Sequence, residues 1–469
     1  MPTKHLTKKP KVNNPRSGNT RREGFATSLG VIAATLGSAV GLGNIWKFPS
    51  LAGQNGGAAF ILIYIICVFL IGLPVMISEF IIGRRSQANA VGSFKKLAPG
   101  RPWFLTGIAG ILASFLIMFF YTDVAGWVYS YIFKAATGAF AAVRPGDTAN
   151  IFNSFVGGLT PIFWQWIVLV VISLVIIAGV TKGIERMTKT LLPILFVLLL
   201  ICDIRSLTLP GASAGLTFLF KPDFSKITWA VILTAMGLSF FKLSVGMGTM
   251  ITYGSYIGRD ENMPATGIRV MLADTLVSIL AGLAIFPAVF AFGFKPDAGA
   301  SLLFITIPMV FKAMPLGQIV IVLFFILTAI AATGAMISLL EVPVAYLVEE
   351  HRWKRVWATV ASALTIGVIG IAATLSTSVL ANFKPLLGKT IFDLCDFASS
   401  NILLPVGGIF ICLFVGWYLG KRVIFEEASN GGRISNRLLL KGFTVIVQYI
   451  APIAIIIVLL SGLGLIRLG

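Results

Sequence analysis

The chain has 469 residues, 57% of them hydrophobic and only 12% charged. That composition excludes a soluble globular enzyme and fits a polytopic membrane protein, crossed by runs of about 20 apolar residues. The net charge of +19 would suit a nucleic-acid binder, but the charges sit in a tail and in short loops between apolar runs, as membrane topology requires.

In chain order, residues 1–22, "MPTKHLTKKPKVNNPRSGNTRR", read as a basic, disordered tail whose expected interaction is with a membrane surface. Hydropathy then predicts an all-α polytopic protein of about eleven spans, near 25–50, 57–82, 104–136, 161–180, 184–203, 227–256, 264–294, 316–347, 356–376, 391–419 and 438–466. They leave no room for a soluble domain, so residues 23–469 read as one transmembrane unit. The first apolar run is too long for a cleavable signal. The loops "GRRSQANAVGSFKKLAPGR", "TKGIER", "EEHRWKR" and "GKRVIFEEASNGGR" are basic and alternate with loops such as "TGAFAAVRPGDTANIFNSFVGG". This bias places the N-terminus in the cytoplasm and, with an odd number of spans, the C-terminus outside.

Cys67, Cys202, Cys395 and Cys412 lie in or beside apolar spans without metal spacing and read as packing residues. His5 and His351 fall in polar loops. A metal hydrolase or metal-centred redox enzyme does not fit that inventory. There is no Walker A loop and no nucleophile–base constellation, so neither an ATP-driven pump nor an intramembrane enzyme is expected.

Span 1 contains "AVGLGN", Ala39 to Asn44, and span 6 contains "SVGMGT", Ser244 to Thr249. Either glycine pair alone would read as close helix packing. The repeated V-G-x-G, about 205 residues apart, points to helices broken at matching places in two halves, hence to inverted repeats around a midplane site. Just before the second motif, in "SFFKLSVGMGT", stands Lys242. A lysine at a helix centre costs about 2.5–3.5 kcal/mol to insert. Either it snorkels to an interface or it meets a buried partner.

The stretches "GSAVGLGNIWKFPSLAGQNGGAAFILIY", "TKGIERMTK" and "GMGTMITYGSY" resemble the neurotransmitter:sodium symporter family, in its bacterial amino-acid transporter branch. The resemblance covers residues 21–465. It implies inverted five-helix repeats, about 23–205 and 225–420, plus an extra helix near 438–466. It also implies an integral protein of a bacterial inner (plasma) membrane. Many members have one more span.

Carried over position by position, the resemblance implies that the amides of Leu42 and Gly43 meet a substrate carboxylate, that Tyr121 closes over it and that Phe241 is an aromatic lid. Ile117, Lys242, Ser244, Met247, Ser338 and Leu339 would complete the substrate site. The mostly apolar lining points to a hydrophobic amino acid. The outer gate would be Lys47 with Asp396, where an arginine is usual, and the inner gate Arg22 with Glu349, near Tyr256 and Phe25. Lysine cannot make arginine's bidentate fork. The spacing from Gly183 to Pro193 fits a span 5 whose end can unwind.

The cation positions depart from the family. The first sodium site would use Ala39, Asn44, a hydroxyl of span 6 and an amide of span 7. Here the last two positions hold Lys242 and Asp274. They look like a compensated ion pair, with the ammonium replacing the sodium. The second site would use Gly37, Val40 and Ala331, with hydroxyls where this chain has Gly334 and Ala335; Thr333, one residue away, leaves open whether that site is rebuilt. Leu238 stands where a chloride site wants an amide, although Tyr64 and Ser278 fit, so chloride dependence is not expected. No cofactor and no nucleic-acid partner are implied, and sodium itself is disfavoured. The expected function is secondary transport of a hydrophobic amino acid by alternating access, without sodium. The alternatives are ordinary sodium-coupled symport and a non-transporting membrane sensor.

Overall fold

The computed structural model describes residues 23–140, 147–294, 302–312 and 314–466. Among them the regular structure is helical. Span 1 is divided into α1 (Ser28–Ala39) and α2 (Gly43–Gln54), bent by 51°. Spans 2 to 5 are α3 (Ala58–Ser86), α4 (Phe104–Ala136), α5 (Thr160–Ile177) and α6 (Val180–Leu207). Span 6 is divided into α7 (Trp229–Lys242) and α8 (Thr249–Gly254). Then follow α9 (Met263–Ala291), α10 (Gly317–Glu350), α11 (Arg355–Thr377), α12 (Ile391–Ala428) and α13 (Arg437–Gly462). Nine of the described helices are long and apolar enough to cross a membrane unaided, and the bent pair α1–α2 makes a tenth crossing. The halves of span 6, α7 and α8, are each too short to span alone, and α7 is apolar along its length.

The expected spans match these helices except at a few ends. The tenth predicted span stops at 419, whereas α12 runs on to Ala428. Its extra turns are polar, and they stay helical because Glu426 and Glu427 meet Arg85 at 3.3 and 3.1 Å.

Broad apolar surfaces face outward, including Leu112, Leu174, Ile204 and Val368, as lipid solvation permits. The core lies around α4 and α10, which pack along much of their length. Against them lie α1 and, through α6 and α9, the second rank of helices. Local sequence sets where the two broken spans begin. Thr27 caps α1 by accepting the Gly30 N–H at 3.0 Å, and Thr228 caps α7 by accepting the Val231 N–H at 3.3 Å. The two breaks therefore face the centre of the bundle from opposite halves of the chain.

Candidate functional site

The two breaks share a glycine pattern but not a physical cause. At span 1, Val40 is extended and Gly41 is hemmed in; a Cβ there would lie 2.7 Å from the Tyr121 hydroxyl and 2.9 Å from Ala335 Cβ. Close approach, rather than an unusual φ, demands that glycine. At span 6 the backbone turns left-handed at Ser244 (φ +53), Gly246 (φ +81) and Gly248 (φ +76), where glycine has no steric penalty. Ser244 offsets its strain by donating its hydroxyl to the Ser38 carbonyl at 2.9 Å.

A helix that starts in mid-membrane exposes N–H groups that need acceptors. Glu79 of α3 supplies them. Its Oε1 accepts the Gly246 N–H at 2.6 Å and its Oε2 the Ile251 N–H at 3.2 Å. A buried carboxylate at the positive end of α8 also suits the helix dipole. Sequence reading missed Glu79, although an acid inside "LPVMISEFII" is as conspicuous as Lys242.

Lys242, the last residue of α7, reaches into the bundle. Its Nζ lies 3.0 Å from Asp274 Oδ2, and both side chains are fully buried. The ammonium also meets the Ser278 hydroxyl and sits 5.0 Å from the ring centroids of Phe48 and Tyr64. Asn44 of α2 donates its amide to Asp274 Oδ1 at 2.7 Å and to the Asp274 carbonyl at 3.1 Å. Its Oδ1 accepts the Gly41 N–H at 3.1 Å. The Tyr64 hydroxyl lies 3.5 Å from Asp274 Oδ2. One knot thus joins the break of span 1, the end of α7 and the middle of α9. Snorkelling is excluded, because the lysine points inward.

Beside this knot lies a central cavity of about 30 Å³, lined by Ser38, Ile117, Tyr121, Phe241, Met247 and Leu339 among others. That is about the room of one water. A second cavity of about 250 Å³, lined by Lys47 and Asp396 among others, adjoins it. Gly43, Tyr121 and Phe241 line both spaces, so the two aromatic rings form the partition. The Leu42 N–H donates to the Tyr121 hydroxyl at 2.8 Å. Ser338 does not line the cavity; its hydroxyl bonds back to the Ala335 carbonyl at 2.7 Å, and Ala335 stands at the wall instead. Ser38, which sequence reading left out, presents a buried hydroxyl without a hydrogen-bond partner at the same wall.

Where the second cation site would lie, the backbones pack closely. A Cβ on Gly334 would lie 2.7 Å from the Gly37 carbonyl oxygen, so α1 and α10 touch directly there. The Ala331 carbonyl approaches Gly41. Thr333 does not turn toward Gly37 and Val40. Its hydroxyl bonds Tyr129 at 2.7 Å and the Ala329 carbonyl at 2.7 Å. Among the described residues, no group of three or more His, Cys, Asp or Glu could hold a metal.

Above the site, Lys47 lies 3.7 Å from Asp396 and 4.2 Å from the centroid of Phe241. The same ammonium therefore meets both Asp396 and the face of the Phe241 ring. On the opposite side, Arg22 lies outside the described residues. Glu349 accepts the Asn89 N–H at 2.7 Å and its amide at 3.1 Å. The Tyr256 hydroxyl donates to Glu341 Oε1 at 2.6 Å. Glu341 Oε2 in turn meets Arg355 Nη2 at 2.5 Å, and Arg355 Nε donates to the Ile176 carbonyl at 2.6 Å. Phe25 packs edge-on against Tyr253 and Tyr256. Sequence reading counted Arg355 as a loop charge in "EEHRWKR" and did not single out Glu341. Beside this cluster, Glu185 of α6 anchors the start of span 1, accepting the Ala26 N–H at 2.7 Å and the Thr27 hydroxyl at 2.9 Å.

A family model described as the sodium:neurotransmitter symporter family matches residues 22–151 and 147–466. The chain is 40% identical over 442 residues to a Bacillus subtilis protein named as an uncharacterized sodium-dependent transporter, YhdH, covering 94% of this chain and 98% of that one. It is 35% identical to a similarly named protein of Haemophilus influenzae, over 95% of this chain and 99% of the relative. Its fold matches the crystal structure of MhsT in complex with L-phenylalanine with a TM-score of 0.88 and 44% identity, over 94% of this chain and all of that one.

Proposed function

The chain belongs to the sodium:neurotransmitter symporter family, and from that premise we propose that this secondary transporter moves a hydrophobic amino acid without sodium, Lys242 serving as the built-in cation. The observation that carries the reading is the fully buried contact of Lys242 with Asp274 at 3.0 Å. It stands where the family resemblance puts two oxygen ligands of a sodium ion. A hard cation needs such oxygens, and an ammonium already held by a carboxylate repels one.

Asp274 has a second part in this reading. Its carboxylate lies between Asn44, Tyr64 and Lys242, so a fixed anion stands beside the fixed cation and no chloride is called on. Lys242 keeps a hydrogen-bonding direction free for a substrate carboxylate entering past Leu42 and Gly43, while the carbonyls of the two breaks suit an ammonium. Ile117, Met247 and Leu339 offer an apolar side-chain pocket. The L-phenylalanine in the MhsT crystal structure supports that substrate class. The narrow cavity must widen for such a ligand, by movement of Tyr121 and Phe241. We place the N-terminus in the cytoplasm, on the charge bias of the loops. The gates we assign are Lys47 with Asp396 outside and the Glu341–Arg355–Tyr256 cluster inside.

A second reading, ordinary sodium-coupled symport, is favoured by the names of the relatives. Uptake of an amino-acid panel into liposomes, with sodium replaced by choline at constant pH, separates the two. Sodium-free uptake of hydrophobic amino acids is expected. Uptake that vanishes without sodium overturns the role given to Lys242, and binding without flux identifies a sensor. A pH gradient imposed in the same assay distinguishes a permanently charged lysine from one that exchanges a proton.

A further inference from the structure

A cavity of about 720 Å³ opens at the basic end of the bundle, where the loop from α8 to α9 meets the ends of α3 and α12. Its walls carry four arginines. Arg84, nearly fully buried, bonds Glu427 at 3.0 Å, the Glu261 carbonyl at 2.9 Å and Asn430 at 3.1 Å. Arg85 pairs with Glu426 and Glu427, and Arg433 pairs with Asp260 at 3.0 Å. Arg259 lines the same space, and among the described residues no carboxylate pairs with it. Charge is thus balanced at the walls and left over at one guanidinium facing an open cavity. A planar guanidinium can donate two parallel N–H bonds to two oxygens of a phosphate, and neighbouring arginines add positive charge.

The rim says where such a phosphate comes from. The first turn of α13 is tied to α12 by the Asn436 amide, which donates to the Ala428 carbonyl at 2.9 Å. That turn exposes Leu438 and Leu439, 84% and 71% accessible, next to Arg437 and Lys441. Apolar and basic side chains on one exposed turn mark a membrane interface. Further along α12, Phe410 joins Trp103 and Leu105 in an apolar crevice of about 400 Å³ on the outward face of α4 and α12. Leu105 and Phe410 are exposed there, and a lipid tail suits such a surface.

We propose that this cavity binds a phosphate group, supplied by the headgroup of an anionic phospholipid, with Arg259 as its principal ligand. The site bears on transport through the loop it touches. Asn430 donates to the Asp260 and Glu261 carbonyls, and Glu261 Oε2 accepts the hydroxyl of Ser28 at the first turn of α1 at 2.5 Å. A bound phosphate steadies the segment that holds the start of α1.

The full chain in neutral detergent is titrated with phosphatidylglycerol, phosphatidylcholine or inorganic phosphate, following lipid retained by native mass spectrometry and the unfolding temperature. Selective retention of phosphatidylglycerol, with stabilisation, is expected. Arg259→Ala should weaken retention by about fivefold, the worth of one interfacial charge, and Arg259→Lys should restore part of it. Lys421→Ala, an exposed charge outside the cavity, should change nothing. Equal retention of both lipids, or an equal loss from Lys421→Ala, overturns the proposal. Stabilisation by inorganic phosphate alone, lost in Arg259→Ala, upholds the phosphate site and overturns the lipid as its source.

Discussion

Tyr121 and Leu42 satisfy one another across the break of span 1: the backbone N–H of Leu42 donates to the Tyr121 hydroxyl at 2.8 Å. The amide that a substrate carboxylate would take is already occupied, so a ligand must share or displace the phenol. Tyr121→Phe removes the hydroxyl and leaves the ring as partition. Substrate affinity should fall by about tenfold, the worth of roughly one hydrogen bond at the upper end of its usual range. Isothermal titration or scintillation proximity binding reads this, and unchanged affinity removes the phenol from the site.

The Lys242–Asp274 pair gives an asymmetric expectation. Removing one partner leaves a buried charge alone, at a cost of about 3–5 kcal/mol. Lys242→Thr and Asp274→Asn should each lower the unfolding temperature sharply. The double variant should recover most of it, and it restores the ligand types of a sodium site. Sodium should then raise substrate binding in the double variant and leave the wild type unaffected.

Glu79 holds the N–H groups of the span 6 break. Glu79→Gln leaves one acceptor oxygen where Glu79 uses both, for the Gly246 and Ile251 N–H groups. Stability should drop by about 1–3 kcal/mol, and uptake should fall further than the folded fraction does. Uptake that tracks folded protein one to one would reduce Glu79 to scaffolding.

At the outer gate, Lys47 and Asp396 are one-third or more exposed. Such a pair contributes about 0–1 kcal/mol to stability, so either neutralisation should leave the unfolding temperature nearly unchanged. Uptake should still fall, because Lys47 also covers Phe241. The swap Lys47→Asp with Asp396→Lys should restore part of the loss. Normal uptake in both single variants would make the contact ordinary surface electrostatics.

On the inner side, Arg355 also lies 3.8 Å from Glu23, so Arg355→Gln should loosen the cluster of Glu341, Tyr256 and Glu23. A cysteine introduced beside Tyr256 should then react faster with a membrane-impermeant thiol reagent from the basic side. An unchanged rate would relieve Arg355 of any gating part.

Much of this arrangement is legible in the chain. The spans follow from apolar length, and the two breaks from the repeated V-G-x-G. That Lys242 needs a partner follows from its place in an apolar run, and Asp274 lies in another such run. The same rule should have raised Glu79, which was passed over because it sits outside the motifs. Side-chain direction is less legible. One residue along a helix is a rotation of about 100°, which is why Thr333 meets Tyr129 instead of Gly37 and Ser338 faces its own backbone. The Glu341–Arg355 contact joins two helices across a turn, and nothing local in "EEHRWKR" marks which of its charges folds back.

In the sodium-free cycle proposed above, the buried contact of Lys242 with Asp274 also sets what can drive transport. A carried sodium ion brings the membrane potential to bear on transport, worth about 2.3 kcal/mol per charge for each 100 mV. An ammonium welded to the protein and matched by its own carboxylate never leaves with the substrate. A zwitterionic amino acid then crosses as a neutral load. With its charge retained, such a carrier is blind to voltage and runs in whichever direction its substrate is more dilute, filling or emptying the cell to equality but not beyond it.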